Sequence, residues 1–488
     1  MCGIAGLIRR DGGTEHEATR ARARAMRAAL RHRGPDGEGE ALLPGAILEH
    51  TRLALLDRAG GAQPMTSPDG RYTIVYNGEV YDHEELRPGL DYPFTTRSDA
   101  ETVLAAYIAH GPECVHMLNG MFAFFVWDAR ARRGFLARDP LGVKPCAYAW
   151  DGHEFLFASE AHVVARARGL PVRGDSDAIL EVLVAPCFSG VERPMFAGVQ
   201  YLQPGHWLEL GPEGPSVHRY YRYTVGDGPG PGDAALRAAL ARAVRRTCRA
   251  DEPIGVFLSG GLDSTAIAAF AARCLPAAPP ALTIAFAGMQ HYDYAHSTIV
   301  VSDDLPFARL AARALGLPLT VVDVPPAELA RDLERLAISN DALPAWEQEL
   351  AQDRLARAAA AAGLKAVLVG DAAAFIDPLF STGVHLAAFG ARYYWLSDPD
   401  DRTFEIFELQ LGGLPFHLDR GGRARPSQSR YRLIATVPGR AETAACGPRC
   451  GRSSTGTARC PLLPGHDRRP ILRAAGAGLG CVRRARRL

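Results

Sequence analysis

Residues 254–264 read Ile254-Gly255-Val256-Phe257-Leu258-Ser259-Gly260-Gly261-Leu262-Asp263-Ser264. The first five form a short apolar strand. The last six form a glycine-rich turn, and the pattern predicts a helix over 265–274. Two glycines let a backbone approach a ligand closely. Successive amides at a helix N-terminus cradle an anion, and Ser259 and Ser264 add hydroxyl donors. Asp263 is placed to hold the Mg2+ that accompanies a pyrophosphate, because a hard cation takes carboxylate and phosphate oxygens. The loop lacks a lysine and is not GxxxxGK[ST]. It suits ATP cleaved between the α and β phosphates. An ordinary βα turn with a serine cap is the plain alternative, and the strand–loop–helix context favours the phosphate reading.

The surroundings repeat the same rhythm. Helices are expected at 234–250, 305–315 and 350–362, and strands at 282–286, 319–324 and 366–369. Strands alternating with helices predict a doubly wound parallel α/β sheet. Upstream the texture is α+β. A basic helix is expected at 17–32, and a strand at 72–76 ended by the turn signal Asn77-Gly78. A strand pair is expected at 121–128 and 133–138, and a short strand at 155–159. The run GDGPGPG (226–232) reads as linker. The expected domains are 1–210, a linker 211–232, and 233–371.

The chain starts Met1-Cys2-Gly3-Ile4-Ala5-Gly6. Removal of Met1 puts a thiol and a free α-amine on one residue. An α-amine has a reference pKa of about 7.7–8.0, so it can act as general base beside the nucleophile it activates. A buried N-terminal strand with Cys2 as a small hydrophobe is the plainer reading.

The 488 residues carry a net charge of +1, which hides an asymmetry. Residues 420–488 hold 16 Arg, no Lys and two acids, which leaves about −13 for the rest. The ten Cys are scattered, which fits a reducing compartment better than a disulfide framework. No apolar run is long enough to span a bilayer. We expect a cytoplasmic protein with no membrane or nucleic-acid partner.

HRGPDGEG (32–39), HTRLALLD (50–57), YNGEVYDHEELR (76–87), RSDAE (97–101), RDPLGVKP (138–145), FASE (157–160) and LQPGH (202–206), with MCGIAG and SGGLDS, resemble the glutamine-hydrolysing asparagine synthetases over residues 1 to about 371. The resemblance implies an N-terminal Ntn-type αββα sandwich, a class II glutamine amidotransferase, followed by an ATP-pyrophosphatase domain. It makes Cys2 the nucleophile, with Asn77 and Gly78 as oxyanion hole. Arg52 would hold the glutamine α-carboxylate, and Glu79 and Asp99 its ammonium and amide. ATP would lie on Leu258, Ser259, Gly260, Gly261, Asp263, Ser264, Ile284, Val369 and Gly370, with Mg2+ as cofactor. Ammonia released from glutamine would convert aspartate to asparagine through β-aspartyl-AMP. A homodimer is compatible with the resemblance.

The family continues with an acidic loop of the type G-E-G-x-D-E. Here the run is Gly370-Asp371-Ala372-Ala373-Ala374-Phe375. Asp371 stands for the first acid, where the intermediate would form, and the two later acids are replaced. The expectation is a synthetase domain truncated or replaced C-terminally, with its activity impaired. Residues 370–387 resemble the flavin-binding stretch of flavin-dependent halogenases, and that likeness is expected to run to about 419. No GxGxxG fingerprint accompanies it. Residues 420–488 read as out-of-frame translation of GC-rich DNA, expected to be disordered. Alternative functions are a halogenase fusion, or a glutaminase or regulatory remnant without synthetase activity.

Overall fold

The computed structural model describes residues 1–184, 193–222, 232–286, 303–325, 328–339 and 347–370, with two short pieces at 451–452 and 458–459. The chain divides into two compact units. The first is Met1–Tyr292 with Asp303–Gly370, and the second is Asp293–Ser302 with Asp371–Leu488. The expectations for Asp371, for 372–419 and for most of 420–488 lie outside the described residues.

The N-terminal part of the first unit contains strands β1 (Gly3–Arg9), β2 (Gly37–Leu43), β3 (Ala46–Arg52), β4 (Met65–Thr66), β5 (Tyr72–Val80), β6 (Gly120–Asp128), β7 (Arg133–Arg138), β8 (Ala147–Trp150), β9 (Glu154–Ala158), β10 (Gln200–Tyr201), β11 (His206–Gly211) and β12 (Gly214–Arg219). Its helices are α1 (Glu17–Ala29), α2 (His83–Leu86), α3 (Asp99–His110), α4 (Ala161–Ala167) and α5 (Ser176–Val184). The strands form two six-stranded sheets, ordered β10-β8-β9-β1-β3-β2 and β12-β11-β7-β6-β5-β4.

Strand β6 shows why the sheets stack. In Gly-Met-Phe-Ala-Phe-Phe-Val-Trp-Asp, alternate side chains point to opposite faces. Phe122, Phe124 and Val126 join Val103 and Leu104 of α3. Ala123, Phe125 and Trp127 join Ile4, Leu48 and Phe157 of the facing sheet. A strand buried on both faces reads as a continuous apolar run. Behind β1, Ala5 and Leu7 pack against Met26 of α1 and Val164 of α4. The result is the expected helix–sheet–sheet–helix sandwich. Phe125 is fully buried and stacks on Phe157 with ring centroids 4.5 Å apart. Phe125→Ala should therefore cost about 3–5 kcal/mol in a urea unfolding experiment.

The C-terminal part holds α6 (Asp233–Thr247), β13 (Ile254–Phe257), α7 (Leu262–Cys274), β14 (Ala281–Phe286), α8 (Leu305–Leu315), β15 (Leu319–Val324), α9 (Leu329–Ser339), α10 (Glu347–Ala361) and β16 (Ala366–Leu368). Its four strands are parallel, in the order β15-β14-β13-β16. The order reverses at β13. Ligands of open α/β sheets bind beyond the carboxyl ends of strands at such a switch point, and Ser259–Ser264 follows β13 there. In the second unit, β17 (Gly451–Arg452) and β18 (Ala458–Arg459) pair antiparallel.

Three local readings change. Asn77-Gly78 is no turn: β5 runs through it, with Asn77 opposite Ala123 and Gly78 opposite Phe122 on β6. The glycine serves close approach instead, since a Cβ there would lie 2.5 Å from the Met121 carbonyl oxygen. Residues 214–219, expected in the linker, form β12 at the edge of the second sheet. Helix α7 starts at Leu262 rather than 265. No helix among the described residues is long and apolar enough to cross a membrane.

Candidate functional site

Cys2 lies just before β1, and β1 pairs antiparallel with β3 so that Gly3 faces Thr51. This register brings the thiol to the loop that follows β3. The Leu53 amide donates to Cys2 Sγ at 3.4 Å, and the thiol reaches the Leu53 carbonyl oxygen at 3.7 Å. Arg33 Nε donates to the Cys2 carbonyl oxygen at 3.0 Å. Arg33 is itself held by Glu160 at 2.9 Å, and His32 meets the same carboxylate at 2.8 Å. Burial pushes the Cys2 thiol up and the Met1 ammonium down to about 5. The thiol is thus protonated and the nearby amine neutral near pH 7.

Asn77 sits on β5 and is 1% exposed, and its Nδ2 has no hydrogen-bond partner. A buried unsatisfied donor costs about 1–3 kcal/mol, so each one needs an explanation. Next along the strand, Glu79 is pushed up to about 8 by burial, aided by repulsion from Asp99 and opposed by Lys144. Asp99 begins α3. Its Oδ2 accepts from the Tyr76 hydroxyl at 2.6 Å and the Val80 amide at 3.0 Å, and its Oδ1 accepts from the Ala100 amide at 3.0 Å. Arg52 ends β3. Its guanidinium donates to the carbonyls of Leu56 at 3.2 Å, Asp57 at 2.7 Å and Arg58 at 2.8 Å. The ends of β1, β3 and β5 thus gather a thiol, an unused amide donor, two carboxylates and a guanidinium.

The second group lies at the switch point of the parallel sheet. Gly260 has φ +83°, and a Cβ on it would collide with the backbone of Phe307 and Ala308 on α8. Ser259 Oγ accepts from the Gly261 amide at 3.3 Å and meets Ser264 Oγ at 2.9 Å. Gly370 closes on the start of α7, where a Cβ would lie 2.7 Å from the Ser264 nitrogen. Gly370 therefore meets the Ser259–Ser264 loop. Leu258 is buried in the core, and Ile284 packs beside Leu282 and Leu355. Asp263 opens α7. Among the described residues no group of three His, Cys, Asp or Glu could hold a metal ion.

Sequence reasoning assigned no role to Arg33, Glu160 or Lys144. Each is a charged residue within a quoted motif, and all three are buried or nearly so. Their place in the motifs was the signal the sequence held, and their burial, rare for charges unless paired, shows only in the fold. Asp139 accepts the amides of Leu141, Val143 and Lys144 at 3.1, 3.0 and 3.0 Å and so shapes the loop that delivers Lys144.

Comparison with known proteins matches residues 1–221 to the glutamine amidotransferase domain family and residues 235–407 to the asparagine synthase family. The second match overlaps the stretch in which the halogenase likeness was read. Asparagine synthetase [glutamine-hydrolyzing] 3 of Bacillus subtilis is 36% identical over 280 residues, covering 56% of this chain and 45% of that protein. A probable asparagine synthetase [glutamine-hydrolyzing] of Schizosaccharomyces pombe is 34% identical, covering 56% and 45%. Asparagine synthetase [glutamine-hydrolyzing] 1 of Saccharomyces cerevisiae is 33% identical, covering 56% and 44%. The chain spans about half the length of the curated relatives it matches. A solved glutamine PRPP amidotransferase of B. subtilis aligns with TM-score 0.33 and 15% identity, covering 68% of this chain and 70% of that one. The chain is similar, over residues 1–221 and 235–407 in that order, to the glutamine amidotransferase domain and the asparagine synthase family, and over its matched part to glutamine-hydrolysing asparagine synthetases.

Proposed function

We propose that this protein hydrolyses glutamine at Cys2 and directs the ammonia to an ATP-activated carboxylate, that of aspartate, to give asparagine. The single observation that supports it most is the orphaned Nδ2 of Asn77. A buried donor that no protein group satisfies is what a preorganised oxyanion hole requires. With Met1 removed, the Cys2 amine takes the thiol proton as sulfur bonds to the glutamine Cδ. The oxyanion is received by Asn77 Nδ2 and the Gly78 amide. The ammonium then returns its proton to the leaving nitrogen, the C–N bond breaks, and ammonia departs. Water, deprotonated by the same amine, releases glutamate and restores the thiol. Arg33, anchored by Glu160, keeps the N-terminal residue in place through its carbonyl. Arg52 offers its fork to the substrate α-carboxylate. Glu79 and Asp99 face the α-ammonium and the side-chain amide.

In the second domain, the amides of Ser259–Ser264 and the start of α7 would receive the ATP phosphates. Leu258, Ile284 and Val369-Gly370 would flank the nucleotide. Mg2+ commonly takes one or two carboxylates and completes its shell with phosphate oxygens and water, and Asp263 would be one such carboxylate. β-Aspartyl-AMP would form there. The five described cysteines, Cys2, Cys114, Cys146, Cys248 and Cys274, are all free thiols, which supports a cytoplasmic location. We expect a homodimer and no nucleic-acid partner.

The test measures glutamate and asparagine separately in one reaction with glutamine, aspartate, ATP and Mg2+. Glutamate release together with ATP-dependent asparagine supports the full reading. A folded protein that leaves glutamine untouched defeats it.

Glu79 adds a pH signature. Its folded pKa is raised to about 8, so its carboxyl keeps its proton below that pH and loses it above. Only the ionised form attracts the substrate ammonium. The KM for glutamine should therefore fall as pH rises from 6 to 8, by up to about tenfold per unit. Glu79→Gln should flatten that slope in steady-state assays.

A further inference from the structure

The loop that carries the glutamine contacts is not held by its own domain alone. Its Ala54 amide donates to Asp36 Oδ2 at 2.8 Å. The same Asp36 oxygen receives Lys365 Nζ at 3.0 Å, and Lys365 also meets Glu252 at 3.3 Å. Further along, the Asp57 amide donates to Asp251 Oδ2 at 2.9 Å, and the Asp251 amide donates to the Leu55 carbonyl at 2.9 Å. Asp57 has φ +46°, a left-handed conformation that a non-glycine residue keeps only when its surroundings enforce it. Its carboxylate is taken by the Gly60 amide at 3.0 Å and the Arg97 amide at 2.7 Å.

Asp251 and Glu252 lie just before β13, and Lys365 lies just before β16. These are the two neighbouring parallel strands whose opposite ends carry Ser259–Ser264 and Val369-Gly370. At about 3.3 Å per residue, roughly 13 Å of strand separates the two ends. Other cross-links between the halves, among them Arg246 to Glu85, Arg249 to Glu84, Arg97 to Asp251 and Arg58 to Glu252, each have one side chain more than half exposed and count for little. The Lys365–Asp36 pair is more enclosed, with side chains 21% and 16% exposed.

We infer that Asp251 and Lys365 are positioning residues for the glutamine site, supplied by the synthetase domain. They fix residues 53–58, and through these the Arg52 guanidinium, which hangs on the carbonyls of residues 56–58. Glutamine binding then depends on the neighbouring domain, while the thiol chemistry does not. This rests on the proposed glutaminase activity.

The experiment compares the full-length protein with Lys365→Met, Asp251→Ala and Asp251→Asn. In glutaminase assays the first two should raise the KM for glutamine about three- to tenfold with kcat within twofold of wild type. Asp251→Asn keeps an oxygen acceptor for the Asp57 amide and should restore the wild-type KM. Hydrogen exchange reads the loop without any activity: the Asp57 amide should exchange at least tenfold faster in Asp251→Ala and Lys365→Met than in wild type. Unchanged KM in an active enzyme, or unchanged exchange at Asp57, overturns the inference. A wild-type protein that releases no glutamate defeats the glutaminase reading instead, and the exchange rates still decide the positioning role.

Discussion

Cys2→Ala should reduce glutamate release by about 10³-fold or more while leaving the fold intact. The side chain makes two weak sulfur contacts to Leu53, and the change to Ala removes a single atom, so its loss removes chemistry rather than packing. No second thiol can take over among the described residues: Cys114 and Cys146 are fully buried elsewhere in the sandwich core, and Cys248 and Cys274 lie at the ends of α6 and α7 in the C-terminal part. Two measurements check this. One is glutamate produced per enzyme, and the other is the mass of the covalent adduct formed with a diazoketone analogue of glutamine. Wild type should gain one adduct on a polypeptide lacking Met1, and the variant should gain none. Asn77→Ala should retain the adduct but lose about 10²- to 10³-fold in kcat, the usual cost of removing one oxyanion donor.

The second large effect is expected at Gly260. Its φ of +83° and the closeness of Phe307 and Ala308 leave no place for a side chain. A non-glycine residue there pays about 1–3 kcal/mol for the backbone alone, and relief of the clash would push α8 from the phosphate loop. Gly260→Val should weaken ATP binding about 100-fold or more in calorimetric titration, given the combined strain and displaced amides. The proposed glutamine hydrolysis, assigned to the antiparallel sandwich, should change less than threefold. ATP binding retained within threefold would show that Ser259–Ser264 does not hold the phosphates.

Much of this architecture was readable from local pattern. Strands β6 and β7 fall within a residue of where their apolar runs place them, and α8 and β15 match at both ends. These segments have marked apolar runs or faces and clear punctuation. Asn77-Gly78 was misread because its composition matches a hairpin turn, while β6 pairing overrides that local preference. Helix α9 went unread although Leu333 and Leu336 recur on one face; its Asp332 pairs with Arg354 and Arg357 of α10. Such pairings across distant segments leave no periodic trace.

The site divides along the same line. Cys2, Asn77, Glu79 and Asp99 could be named because each belongs to a compact motif. Asp36 meeting Lys365 joins residues 329 positions apart, which no reading of a single sequence reveals. Burial supplied what spacing could not at Arg33 and Glu160, where charged groups close over the N-terminal residue.

The grip of Asp251 and Lys365 on residues 53–58 limits how freely this protein can be recombined. Cutting the chain after β12 to make a stand-alone glutamine-cleaving module would strip Asp36 of its cation and Asp57 of its acceptor. A chimera grafting this module onto a foreign ligase would need an equivalent acid and lysine at the roots of two adjoining strands. Without them the graft would inherit a competent nucleophile that seldom meets its substrate.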